Sequence, residues 1–429
     1  MKDENNKYEG MWKGFVTVIT LFFMWGFITV SVDPLIAALK AIFSLNYAEA
    51  MLTQFAFFMA YFVVSLPAAA LIARLGNSKS IIFALGVMVL GCLIVPVATK
   101  VNTYALVLVA LFVIASGITI LQVVANPLAA ALGRPERSHF RLTFSQTFNS
   151  FGTWLAPQLV SSIILAGGIF AVTHGAVVTD ELRAESFRRI DSVFFMIAGA
   201  LVLLALFIFA FRRLLDVTKP VDEGQRPSIA TAFQSRWAVF GACAIFLYVG
   251  AEVSIGSAMT NFLHEPDVLN ISIDEAGKMV AFYWGGAMVG RAIGTVLLFL
   301  VKERAPWLLA GFAVVATALC LVVSQSHGST AGYLALSIGL FNSIMFPVIF
   351  TSTLERSTAA PAATSGLLCL AIVGGAILPF IFGSIADAAG LHTAYFLPAI
   401  AYALIVIFAI SATKAKTYEH GTTAAGAGH

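Results

Sequence analysis

Amides and carboxylates stand inside apolar runs of this chain, among them Gln122, Asn126, Gln146 and Asn149 and the acids Asp33 and Glu252. Gln122 and Asn126 are four residues apart in one run, and Gln146 and Asn149 are three apart in the next. At helical spacing each pair falls on a single face. A polar group in hydrocarbon costs free energy unless it has a partner or a task there. Amides donate and accept without carrying charge, so two amide faces joined by a short basic loop suit the hydroxyls of a neutral, hydroxyl-rich solute. Each pair also has a plainer reading. Asn126 precedes Pro127, where it would satisfy backbone freed at a kink, and Gln146 with Asn149 would bond a neighbouring helix.

The carboxylates are Asp33, about twenty residues into the first run, and Glu252, two residues after Gly250. A carboxylate at such depth is a candidate to take up a coupling ion, either a proton or a sodium ion held near Asp33. Asp33 also precedes Pro34, so a kink or a wet outer mouth would account for it too. Glu252 would contact solute or cation, or pair with Arg291, whose expected role is structural: neutralising a carboxylate or bonding helix-end carbonyls. Tyr283, Trp284 and Asn342 complete the candidate set. Aromatic rings suit the apolar face of a pyranose, although Trp and Tyr also mark membrane interfaces. Arg134, Arg137 and Arg141 are expected to anchor the inner surface.

The elements that must position these residues follow from composition. The chain has 429 residues, of which 59% are hydrophobic and 11% charged, with a mean hydropathy of +0.92. That leaves too little polar surface to cover a soluble globule, so the expectation is an all-α membrane protein. Twelve apolar runs are long enough to span, beginning near residues 15, 50, 79, 103, 140, 190, 235, 275, 306, 329, 362 and 392. Lys and Arg concentrate on the loops of one side, which places both termini in the cytoplasm; the expected location is the cell (inner) membrane. Cys92, Cys243, Cys320 and Cys369 lie singly in apolar runs and read as small core residues. Neither a phosphate-binding loop nor a catalytic His or Ser pattern is present, so no enzyme activity, cofactor or metal is expected.

A polar stretch with two prolines divides the runs six and six. The expected layout is an N-terminal segment 1–14, a six-helix half 15–211, a linker 212–236, a second half 237–413 and a tail 414–429. The halves echo each other: Gly152 and Pro157 recur as Gly374 and Pro379, and Gly117 and Pro127 as Gly339 and Pro347. Ordered matches at a near-constant offset favour a duplicated unit with its binding site between the halves.

The stretches Ala125–Pro127 ("ANP"), "HFRLTFSQTFNSFG" from His139, "YVGAEVSIGS" from Tyr248 and "YWGGAMVGR" from Tyr283 resemble the major facilitator superfamily. Within it they resemble the fucose and glucose/galactose symporters, the second half leaning to the glucose/galactose branch. The resemblance implies twelve helices, alternating access and import of a monosaccharide with a proton or, in some members, sodium. Asp33 matches the acidic residue of that family's first helix. Gln122 departs from it, because the fucose symporters carry a Glu there, and an amide cannot carry a proton. The expectation is therefore a monosaccharide importer working as a monomer in a lipid bilayer, with no nucleic-acid partner. Sodium coupling and multidrug export are the alternatives.

Overall fold

The computed structural model describes residues 11–43, 47–164, 179–216, 230–271, 273–301 and 304–418. Residues 1–10, the linker core 217–229 and the tail from 419 onward lie outside the described set.

Helices carry all of the regular structure among the described residues. In the first half they are α1 (Met11–Ile42), α2 (Tyr47–Leu75), α3 (Asn77–Val101), α4 (Tyr104–Ala131), α5 (Ser138–Ile164) and α6 (Asp180–Phe211). The second half begins with α7 (Arg236–His264), α8 (Ile273–Val301) and α9 (Ala305–Val323). Next come α10, in segments Gly328–Asn342 and Met345–Arg356, and α11, in segments Pro361–Leu370 and Gly374–Ala389 with a short 3-10 turn between them. The last is α12 (Leu391–Ala394 and Phe396–Lys414). Continuous helix is what a bilayer enforces, since hydrocarbon offers backbone groups no partner.

Eleven of these helices are long and apolar enough to cross a membrane. The exception is α5, which corresponds to the run beginning near residue 140. It carries His139, Arg141, Thr143, Ser145, Gln146, Thr147, Asn149, Ser150 and Thr153 on one helix. A helix this polar is tolerable only where protein surrounds it, and Gln146, Ser150 and Arg141 are buried. Outward surfaces elsewhere are the opposite. Phe380 is 78% exposed and Leu203 69%, an apolar exterior that only lipid matches.

The packing repeats. Helix α1 packs on α5 as α7 does on α11, α2 on α4 as α8 on α10, and α3 on α6 as α9 on α12. The repeated glycines explain part of this. A side chain on Gly152 would collide with the Phe23 carbonyl of α1, and one on Gly374 with the Phe246 carbonyl of α7. The other pair does not behave alike: Gly117 lies against Ala84 and Met88 of α3, but Gly339 against Tyr283 of α8. The two halves meet through α2 on α11 and through α5 on α8, themselves an equivalent pair of contacts.

Proline breaks are repaired by side chains. Pro127 leaves the Val123 carbonyl without its helical donor, and Ser365 of the opposite half donates to it at 2.7 Å. Asn126 does not take that role; it is fully buried and lies against Cys369. Pro347 likewise frees the Ser343 carbonyl, where α10 is interrupted, and Arg291 Nε donates to it at 3.1 Å. Cys92, Cys320 and Cys369 are buried as expected, whereas Cys243 is exposed on α7.

Candidate functional site

A cavity of about 160 Å3 opens between the halves. The first half lines it with Trp25, Gly26 and Thr29 of α1, Tyr61 of α2, Gln122 of α4, and Gln146, Asn149 and Thr153 of α5. The second half adds Tyr248, Val249 and Glu252 of α7, Arg291 of α8, Phe346 of α10 and Ile372 from the turn within α11. One wall is rich in amides and hydroxyls. The other carries an acid and a base.

Local packing fixes the amide wall. Gln122 Nε2 donates to the Tyr61 hydroxyl at 2.7 Å. Asn149 Nδ2 donates to the Phe22 carbonyl at 3.1 Å, which ties α5 to α1. Gly26 makes that approach possible, because a side chain there would collide with Asn149. Trp25 is buried and stacks at a tilt on Phe22, with ring centroids 4.1 Å apart. A large flat surface therefore borders the hydrogen-bonding groups, the pairing that a pyranose presents to a protein.

The second wall is a charge pair with supports. Tyr248 donates to Glu252 Oε1 at 2.7 Å, and Arg291 Nη2 lies 3.7 Å from the same oxygen. Arg291 Nη1 also donates to Ser150 Oγ of α5, across the interface between halves. Its guanidinium thus reaches a carboxylate, a freed carbonyl and the opposite half from one position, as its planar fork allows. This matches the structural role expected of Arg291, and it also places Arg291 on the cavity wall.

Gln122, Gln146, Asn149 and Glu252 come together here. The backbone of Asp33 lies in α1, but its side chain is outside the described residues. The structure does not bring Asn126, Tyr283, Trp284 or Asn342 to the wall. Tyr283 is buried behind it, donating to the Glu252 carbonyl at 3.0 Å and receiving the Asn342 amide at 2.7 Å. Trp284 is 46% exposed and covers Gly256. Tyr61, Tyr248, Thr153 and Phe346 were missed. Only Tyr248 had a legible signal, standing four residues before Glu252 on the same helix face.

The basic end of the bundle is closed beneath the cavity. Ser138 donates to Glu355 Oε1 at 2.5 Å, His139 Nε2 lies 3.3 Å from Glu355 Oε2, and His139 Nδ1 meets the Thr351 hydroxyl. Arg137 stacks over the Phe299 ring at 4.2 Å. Arg141, expected at the surface, is instead buried. It donates to the Ala129, Ala130 and Arg134 carbonyls, closing the C-terminal end of α4.

Residues 14–368 match the Major Facilitator Superfamily. A glucose/galactose transporter of Brucella abortus is 45% identical over 92% of each chain. A putative glucose/galactose transporter of Helicobacter pylori is 34% identical over 93% of this chain and 96% of its own. The L-fucose-proton symporter of Escherichia coli is 31% identical over 92% of each. The crystal structure of the transporter FucP in the outward conformation superposes with a TM-score of 0.83 at 27% identity, covering 94% of this chain and 99% of that one. The chain is a multi-pass membrane protein and belongs to the Major Facilitator Superfamily.

Proposed function

We propose that this protein imports a neutral hexose of the glucose/galactose type by proton symport. The reading rests chiefly on the cavity wall, where Gln122, Gln146 and Asn149 stand beside Trp25 between two pseudo-symmetric halves. Amides match hydroxyls in either sense, and the indole covers the ring's apolar face. A drug-export cavity would be mostly apolar. The relatives named as glucose/galactose transporters support the substrate class, and the relative named as a proton symporter supports the coupling ion.

Asp33 is the proposed proton carrier. Glu252 is matched by Arg291 and held by Tyr248, so its proposed task is to orient solute and report its arrival to Arg291. Transport then follows from rocking of the halves. With the basic loops in the cytoplasm of a cell with this inner membrane, the closed end is the cytoplasmic one, and the cavity receives sugar from outside.

The test is uptake of labelled glucose, galactose and fucose into proteoliposomes under an imposed proton gradient, a sodium gradient or neither. Accumulation driven by protons, with glucose or galactose competing best, is expected. Asp33→Asn should keep sugar exchange but lose accumulation, because an amide resembles the protonated acid and cannot release a proton. Accumulation driven by sodium alone would replace the coupling assignment, and proton-driven accumulation by Asp33→Asn would remove Asp33 from it.

A further inference from the structure

We propose that Asp267, His327 and His392 form a divalent transition-metal site, with Zn2+ as the representative ion, on the end of the second half away from the basic loops. The three residues come from three connections: Asp267 follows α7, His327 precedes α10, and His392 opens α12. Their ligand atoms all lie within 4.8 Å of one another. Both His327 Nδ1 and His392 Nε2 stand 3.2 Å from one oxygen, Asp267 Oδ2. Around a tetrahedral ion with bonds of about 2.0–2.2 Å, donor atoms sit roughly 3.3–3.6 Å apart, so the two Asp267 separations already fit, the two histidine nitrogens would approach each other, and water would take the fourth position.

Hydrogen bonding around the cluster argues for a cation at its centre. His392 Nδ1 lies 3.1 Å from the Val323 carbonyl. A carbonyl only accepts, so this nitrogen carries a proton, and in the neutral ring Nε2 is the atom that offers a lone pair. That Nε2 atom is buried, has no hydrogen-bond partner and faces a carboxylate oxygen. A backbone-oriented imidazole with a free second nitrogen is the usual arrangement behind a metal ligand.

The second histidine decides between a proton and a metal. The two imidazole rings have centroids 5.0 Å apart and both aim at one carboxylate oxygen, an arrangement in which one dication serves all three ligands. Two imidazoles and one carboxylate favour a borderline metal such as Zn2+ over Ca2+ or Mg2+, which take oxygen ligands. The frame is already in place, since Gly328 N–H donates to the Asp267 carbonyl at 2.7 Å. Gly328 has φ of +68° there, a conformation that suits glycine. A bound ion would staple three connections and keep the second half rigid as it rocks.

The test uses the full-length protein in detergent at neutral pH, freed of metal by a chelator, with Zn2+ binding followed by calorimetry and Co2+ binding by its visible absorption. His420→Ala and His429→Ala are introduced first to remove the tail histidines. One ion per chain, with a raised melting temperature, is expected. His327→Gln should weaken binding about tenfold or more while leaving the metal-free melting temperature in place, since this side chain is 70% exposed. Asp267→Asn should do the same. Failure of the parent to bind Zn2+, or equal binding by His327→Gln, overturns the proposal. So does thermal stability that responds to pH through these histidines but never to metal.

Discussion

Gln122 donates its side-chain amide to the Tyr61 hydroxyl at 2.7 Å, and the second half repeats the bridge, with Asn342 donating to Tyr283 at the same distance. The first bridge joins α4 to α2 and the second joins α10 to α8, so the two are equivalent in the duplicated fold. Their uses differ. Gln122 and Tyr61 line the cavity, whereas the Tyr283 hydroxyl turns to the Glu252 carbonyl and braces α7.

The bridge predicts how Gln122 tolerates change. In Gln122→Glu the Tyr61 hydroxyl can donate to the new carboxylate, so the protein should fold and bind sugar with a pH dependence the parent lacks. In Gln122→Ala the hydroxyl is stranded, a loss of about 1–3 kcal/mol. Thermal melting and sugar-binding calorimetry between pH 5 and 8 read both. An unchanged pH profile in Gln122→Glu would detach this position from the solute.

Gln146→Ala and Asn149→Ala should each weaken hexose binding by about 1–3 kcal/mol, or roughly 5- to 150-fold. They should differ in stability. Asn149 also holds the Phe22 carbonyl of α1, so only its loss should lower the melting temperature appreciably. Two variants that bind sugar like the parent would place the solute elsewhere.

Arg291→Met leaves Glu252 as a buried charge and the Ser343 carbonyl without its donor, so a loss of about 3–5 kcal/mol of stability is expected. Removing both charges, in Arg291→Met with Glu252→Leu, should recover part of it. Melting temperatures of the single and double variants test this. Strict additivity would show that the two side chains are not coupled despite their 3.7 Å separation.

Much of this arrangement was legible in the sequence, for stated reasons. Eleven of the helices followed from apolar run lengths, because the bilayer fixes how long a helix must be, while α5 is too polar to qualify on that ground. The amides of α4 and α5 stood out because buried polar groups need partners, and Gln122, Gln146 and Asn149 do line the cavity. Asn342 carried the same signal yet lies one layer behind, since periodicity assigns a face but not the depth of packing. Asn126 differs again: it lies off the cavity lining, and the carbonyl freed by Pro127 is taken by Ser365, 242 residues from Val123, which no local reading could supply. The Asp267, His327 and His392 cluster was invisible for the same reason.

The repeated glycines give a sharper test of the duplication. Gly152→Val and Gly374→Val should each block folding or strongly lower yield, because both face a backbone carbonyl of the neighbouring helix. Gly199→Ala and Gly311→Ala meet nothing within 4 Å and should express normally, with a slight gain from lower backbone entropy in the unfolded chain. Normal yield of Gly152→Val would mean α1 and α5 are not in such close contact.

Glu355 is the natural place to unlatch the closed end. It accepts from Ser138 and meets His139, both on α5 of the other half, while Arg356 Nη1 lies 3.2 Å away on its own helix. Glu355→Ala therefore removes contacts between the halves and leaves the fold of each intact. Every 1.4 kcal/mol lost from the closed state shifts the balance toward opening about tenfold. Spin labels at the exposed positions Glu136 and Thr358, placed after the exposed Cys243 is changed to Ser, should report a larger long-distance population in Glu355→Ala than in the parent. Gradient-driven accumulation should fall, since a protein that favours the opened form presents its cavity less often to the other side. Addition of hexose should alter the distribution in both proteins. If the label distances in Glu355→Ala match the parent with and without sugar, these contacts do not hold the halves together, and the closed end must rest instead on the α2–α11 and α5–α8 packing alone.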